Sequence, residues 1–101
     1  MKKATVAQVY TRGQLPPNVR QAVLVRTDEP IEYGDDQRTH YLYVSALSGP
    51  RDCEVYLFPA DENGEVLDWL ELPGSRRGTD NIRMTMMDAG YDSSAWPEEV
   101  V

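Results

Sequence analysis

Apolar and polar positions alternate along most of this chain. In residues 4–11, ATVAQVYT, Val6, Gln8 and Tyr10 oppose Thr5, Ala7 and Val9, which predicts a strand of β-branched and aromatic side chains. Residues 19–27, VRQAVLVRT, predict a second strand. Its centre, Ala22 to Val25, is a short apolar run of the kind buried on both faces. Residues 39–47, THYLYVSAL, place Tyr41 and Tyr43 on one side and Leu42, Val44 and Ala46 on the other. Residues 53–60, CEVYLFPA, do the same with Cys53, Val55 and Leu57 against Tyr56 and Phe58. The turn DENG, 61–64, then leads into EVLDWLEL, 65–72, which reads as a fifth strand returning along the fourth.

Turn-forming residues punctuate the rest: RGQLPPN at 12–18, SGPRD at 48–52 and PGSRRG at 73–78. Residues 28–38, DEPIEYGDDQR, hold five acidic residues with Pro30 and Gly34, and read as a long exposed loop. Residues 79–91, TDNIRMTMMDAGY, read as a short helix. Thr79 or Asp80 supplies the N-cap and Gly90 the left-handed C-terminal residue, while Ile82, Met86 and Ala89 recur at helical spacing. Residues 92–101 read as an irregular tail. The expectation is one α+β domain over 1–101: an antiparallel sheet of five strands with one C-terminal helix packed on a face.

Composition adds limits on function. Seventeen acidic residues against ten basic ones give a net charge of −7, which repels nucleic-acid backbones and anionic lipid and favours basic protein surfaces. Hydrophobic residues make up 41% of 101, enough for a modest core without metal or disulfide support. Cys53 is the only cysteine, so no internal disulfide forms. The start, MKKATVAQVY, has no apolar run behind its lysines, and no stretch approaches the roughly 20 apolar residues of a membrane span. The expectation is a cytoplasmic protein.

The motifs argue against most chemistries. The acidic cluster Asp61, Glu62, Glu65 and Asp68 suggests a calcium loop, but counting from Asp61 the sixth residue is Val66 and the twelfth Leu72. An EF-hand needs Gly and Glu there. His40 and Cys53 are too few for a zinc site, and nothing near Cys53 in sequence would activate it beside a histidine. No nucleotide-binding glycine pattern occurs, so no cofactor and no metal are expected. Asp68 reads either as a solvated carboxylate or as the partner of Arg76 or Arg77. The methionines Met84, Met86 and Met87 read either as core filling or as an adaptable binding face, with Met86 turned towards Ile82 and the other two away.

One stretch carries a resemblance. Residues 53–91 contain, in order, a strand ending in F-P-A, the D-E-N-G turn, V-x-D-W, a P-G-S loop and a short helix closing on A-G-Y. This order of parts resembles small phage and prophage proteins. The resemblance implies an acidic protein that binds and blocks a host protein, including nucleases of defence systems, and it carries no site residues.

The function expected is therefore a non-enzymatic, acidic protein-binding module whose partner is a larger host protein with a basic surface. Its contact groups are Tyr33, Asp35 and Asp36 in the polar loop, Asp61, Glu62 and Glu65 at the hairpin tip, and Trp96 in the tail. Two alternatives stay open. One is a small enzyme or ligand-binding module using Asp68, Arg76, Arg77 and His40. The other is a homodimer or larger homo-oligomer joined through a strand edge or the methionine-rich helix.

Overall fold

In the computed structural model, which describes residues 1–50 and 52–100, the alternating segments assemble into one six-stranded sheet. The strands are β1 (Lys2–Val9), β2 (Val19–Tyr33), β3 (Gln37–Ser48), β4 (Cys53–Ala60), β5 (Arg76–Arg77) and β6 (Tyr91–Asp92), in the spatial order β5-β4-β3-β2-β1-β6. The pairs from β5 across to β1 are antiparallel, whereas β6 runs parallel to β1. The sheet is thus mixed and has six strands, which corrects the expectation of five antiparallel ones.

The fifth strand expected over 65–72 does not form. Val66 makes a single bridge to Ala60, Leu67 N–H donates to the Pro59 carbonyl at 2.8 Å, and Leu72 N–H donates to the Leu57 carbonyl at 2.8 Å. Pro59 faces this segment and has no N–H to give back, so the ladder cannot continue. The Leu57 N–H goes instead to the Ser75 hydroxyl at 3.0 Å, and the short β5 takes the edge beside Glu54 and Val55.

The polar stretch 28–38 is likewise no loop. β2 and β3 run on as a hairpin arm, pairing Ile31 with Thr39 and Tyr33 with Gln37. The register shifts between Arg26 and Ile31, so Pro30 lies at a bulge, the place where a strand tolerates proline. Thr27 is fully buried there, and its hydroxyl donates to the Glu29 carbonyl at 2.7 Å. The turn is only Gly34 to Asp36, and both Gly34 and Asp36 take a left-handed φ of 57°.

One face of the sheet is closed. Val23, Val25, Leu42, Val44, Val55 and Leu57 point into a core completed by Ile82 and Met86 of α1 (Ile82–Asp88), with Trp96 and Val100. The helix is shorter than the 79–91 segment expected, and its N-cap is Asn81, whose side chain accepts from Met84 N–H at 2.9 Å. Asp80 pairs with Arg20 instead at 3.0 Å. Met84 and Met87 are exposed while Met86 is fully buried.

Residues 93–100 contain no helix or strand, yet Ser93, Trp96 and Val100 are buried. Arg83 holds this segment. Its guanidinium donates to the carbonyls of Val100 at 3.1 Å, Ser93 and Ser94 at 3.2 Å, Trp96 at 2.5 Å and Pro97 at 2.7 Å. The Ser93 hydroxyl returns a bond to the Arg83 carbonyl at 2.7 Å. Trp96 is 7% exposed and its indole N–H donates to the Ala4 carbonyl at 2.8 Å. Trp96 is therefore a core and anchoring residue, which corrects its placement among the contact groups.

Candidate functional site

The opposite face of the sheet carries a run of aromatic rings. Tyr43 of β3 lies between Leu24 of β2 and Phe58 of β4 in the strand register. Tyr10, just after β1, meets Tyr43 with ring centroids 5.5 Å apart. Phe58 stacks near Tyr56 at 5.8 Å and meets Trp69 in a T-shaped contact at 5.1 Å. Leu24 is buried, but Tyr10, Tyr43, Tyr56 and Phe58 are only half-buried. Trp69 is 70% exposed, with Leu70 and Leu67 also exposed beside it in sequence.

The acidic turn is built against this face. Asp61 makes the turn: its Oδ1 accepts from the N–H groups of Asn63 at 2.9 Å and Glu65 at 3.0 Å. Asp61 N–H donates to the Glu65 carbonyl at 2.9 Å, and Gly64 N–H donates to the Asp61 carbonyl at 3.0 Å. Gly64 has a φ of 85°, and a Cβ there would lie 2.1 Å from the Tyr10 hydroxyl. Glycine is thus needed twice, for the turn and for room under the tyrosine. Glu62 and Glu65 are left exposed.

Between the turn and the rings runs an open groove of about 510 Å³, lined by Tyr10, Gln14, Tyr43, Glu65, Val66 and Trp69 among others. Partial burial, then the nearby Asp61 charge, pushes the Tyr10 hydroxyl up from its ordinary pKa. Burial, then Tyr10, does the same to Tyr43. For Tyr56 the first cause is its hydrogen bond to the Glu54 carboxylate. The rings of the groove are therefore neutral at ordinary pH.

The expected contact groups fall into three places. Asp61, Glu62 and Glu65 stand together at the turn. Tyr33, Asp35 and Asp36 lie at the tip of the β2–β3 arm, with Tyr33 half-buried against the core and an Arg38–Glu32 pair of 3.2 Å beside it. The arm leaves the sheet at the end where the turn lies, because Tyr41 pairs with Ala60 and the Thr39 hydroxyl donates to the Ala60 carbonyl at 2.5 Å. Trp96 is apart, in the core. Trp69, Phe58, Tyr43 and Tyr10 were missing from the expected set. The signal in the sequence is that Phe58 and Trp69 bracket the acidic turn.

The alternative set does not assemble. Asp68 accepts from Leu70 N–H at 3.0 Å and builds a turn of its own. Arg76 pairs with Asp88 of α1, and Arg77 with Glu54 at 3.6 Å, since adjacent residues of β5 point to opposite faces. His40 is held by its Nδ1, which donates to the Thr27 carbonyl at 3.0 Å. Among the described residues no group of three His, Cys, Asp or Glu side chains could hold a metal ion, and no helix is long and apolar enough to cross a membrane.

No known protein family has a model that matches the chain, and neither a curated protein nor a solved structure matches it.

Proposed function

We propose that the chain is a non-enzymatic protein-binding module that presents its open aromatic face and acidic turn to a basic surface of a larger partner, of the kind that meets nucleic acid. The observation that carries this reading is the exposed Trp69, seated on Phe58 beside the exposed carboxylates Glu62 and Glu65, in a chain of net charge −7. A large aromatic anchor rimmed by charge is the usual make-up of a protein-binding hot spot. Matching charge steers the encounter and rejects partners of the wrong sign. The resemblance to small phage proteins adds to this, because residues 53–91 include Tyr56, Phe58, the acidic turn and Trp69. On that reading the module blocks a host protein such as a defence nuclease, and the β2–β3 arm with Asp35 and Asp36 extends the acidic surface at the same end of the sheet.

The test is co-purification from bacterial lysate with the wild-type chain and with Glu62→Lys/Glu65→Lys. Asp61 is left intact because it builds the turn. The expected result is a basic partner that is retained by the wild type, released by salt and lost from the double variant. A retained partner unaffected by charge reversal overturns the assignment of this surface.

A further inference from the structure

The groove between the acidic turn and the aromatic run has a more specific chemistry than the face around it. Its walls present tyrosine and tryptophan rings, whose faces carry negative electrostatic potential. Glu65 lines the same groove, and Asp61 lies close enough for its charge to act on Tyr10. Among the described residues no Lys or Arg lines it. An anion therefore finds no counter-charge there. A cation finds both ring faces and carboxylate.

The geometry points to an arginine side chain of the partner as the occupant, its guanidinium laid on the Trp69 indole and turned towards the Glu65 carboxylate. This rests on the binding function proposed above and names the chemistry of the residue recognised. Arginine fits better than lysine on three counts. Its head is planar and stacks on a ring, it is more weakly hydrated than an ammonium, and its fork of donors matches a carboxylate. The groove is open on the solvent side and about 510 Å³ in volume, so a long side chain standing out from a protein surface can enter it. The indole is accessible to it, being 70% exposed while held against Phe58 in a T-shaped contact at 5.1 Å.

The test uses three peptides of one length, each with three arginines, three lysines or three citrullines spaced by Gly-Ser. They are titrated at low salt into the full chain and followed by the tryptophan indole resonances in NMR. Trp69 and Trp96 report separately, since Trp96 is buried. The arginine peptide should shift the Trp69 indole, bind several-fold more tightly than the lysine peptide, and lose its effect when citrulline replaces arginine. Trp69→Ala should weaken the arginine peptide by about tenfold, the scale of one partly desolvated cation–π contact. Glu65→Gln should weaken it by less. Equal binding of the lysine and arginine peptides overturns the choice of guanidinium. Arginine binding that survives Trp69→Ala overturns the groove as its seat. If no peptide binds while the charge-sensitive lysate partner is still retained, this inference fails and the binding function stands. Loss of both removes the two together.

Discussion

The two faces of this sheet share the same central strands and end in opposite states. On one, Val23, Val25, Leu42, Val44, Val55 and Leu57 disappear under α1 and the C-terminal segment. On the other, Tyr10, Tyr43, Tyr56 and Phe58 are covered only in part, by a turn and by a tryptophan that is itself exposed. The closed face is aliphatic and the open face aromatic. Aliphatic side chains stabilise only where water is excluded. Tyrosine and tryptophan combine a large apolar body with a polar edge, so they tolerate a wet boundary and still offer area to a partner. The difference places the stabilising burial on one face and leaves the other as the surface proposed above for binding.

The strongest way to break that division is to delete a large side chain from each side. Leu57 is 2% exposed and in the core, so Leu57→Ala should cost about 3–4 kcal/mol in denaturant unfolding. Trp69 is larger, yet Trp69→Ala should cost under about 1 kcal/mol, because most of its surface is already in water. Similar losses at the two positions would mean that the aromatic face is a second core.

Sequence patterning reached the closed face and not the open one. The strand over 53–60 and the split of Tyr41 and Tyr43 from Leu42, Val44 and Ala46 are legible because a period of two is set by burial on one side. So are the inward Met86 and the left-handed Gly90, whose φ is 97°. What escaped depends on single backbone groups. EVLDWLEL alternates like a strand, but Pro59 opposite lacks a donor, and the Asp61 and Asp68 carboxylates draw backbone N–H groups into turns. Pro30 and five acidic residues mark a loop by composition, while a bulge at Pro30 lets both strands continue. Trp96 lies in a polar tail, and only the distant Ala4 carbonyl and Arg83 reveal why it is buried. The acidic turn was legible as a turn. The rings it shelters were not, because Tyr10, just after β1, and Tyr43 of β3 come together from positions far apart in sequence.

The next effect sharpens the comparison at the closure of the buried face. Five carbonyls of residues 93–100 end on the Arg83 guanidinium. Arg83→Ala removes all five bonds and leaves partly buried carbonyls without a donor, for an expected loss of about 2–3 kcal/mol. Trp96 emission should shift to longer wavelength as the segment loosens, while the Trp69 indole resonance stays in place. Movement of Trp69 as well would show that the two faces are coupled through the sheet.

The smallest effect bears on how dry the open face is. Tyr10 and Tyr43 both have hydroxyl pKa values raised above the ordinary value of about 10, chiefly by burial. Tyr91, on the closed side, is raised for the same first reason, with Glu29 as the second. A raised pKa means that the folded chain keeps these protons after the unfolded chain has begun to lose them. Above pH 10 the unfolded state therefore binds fewer protons, and stability falls as pH rises; below that range these groups add no pH dependence. Denaturant midpoints between pH 8 and pH 11.5 should be level at first and then decline, and Tyr43→Phe should make the decline shallower. Tyr91→Phe gives the reference for a ring in the closed core. A Tyr43→Phe slope equal to the wild type would mean that the ring at the centre of the groove is as hydrated in the folded chain as in the unfolded one. A cation entering there would then meet water rather than a ring face, and the contrast between the two faces would be sharper than the packing alone implies.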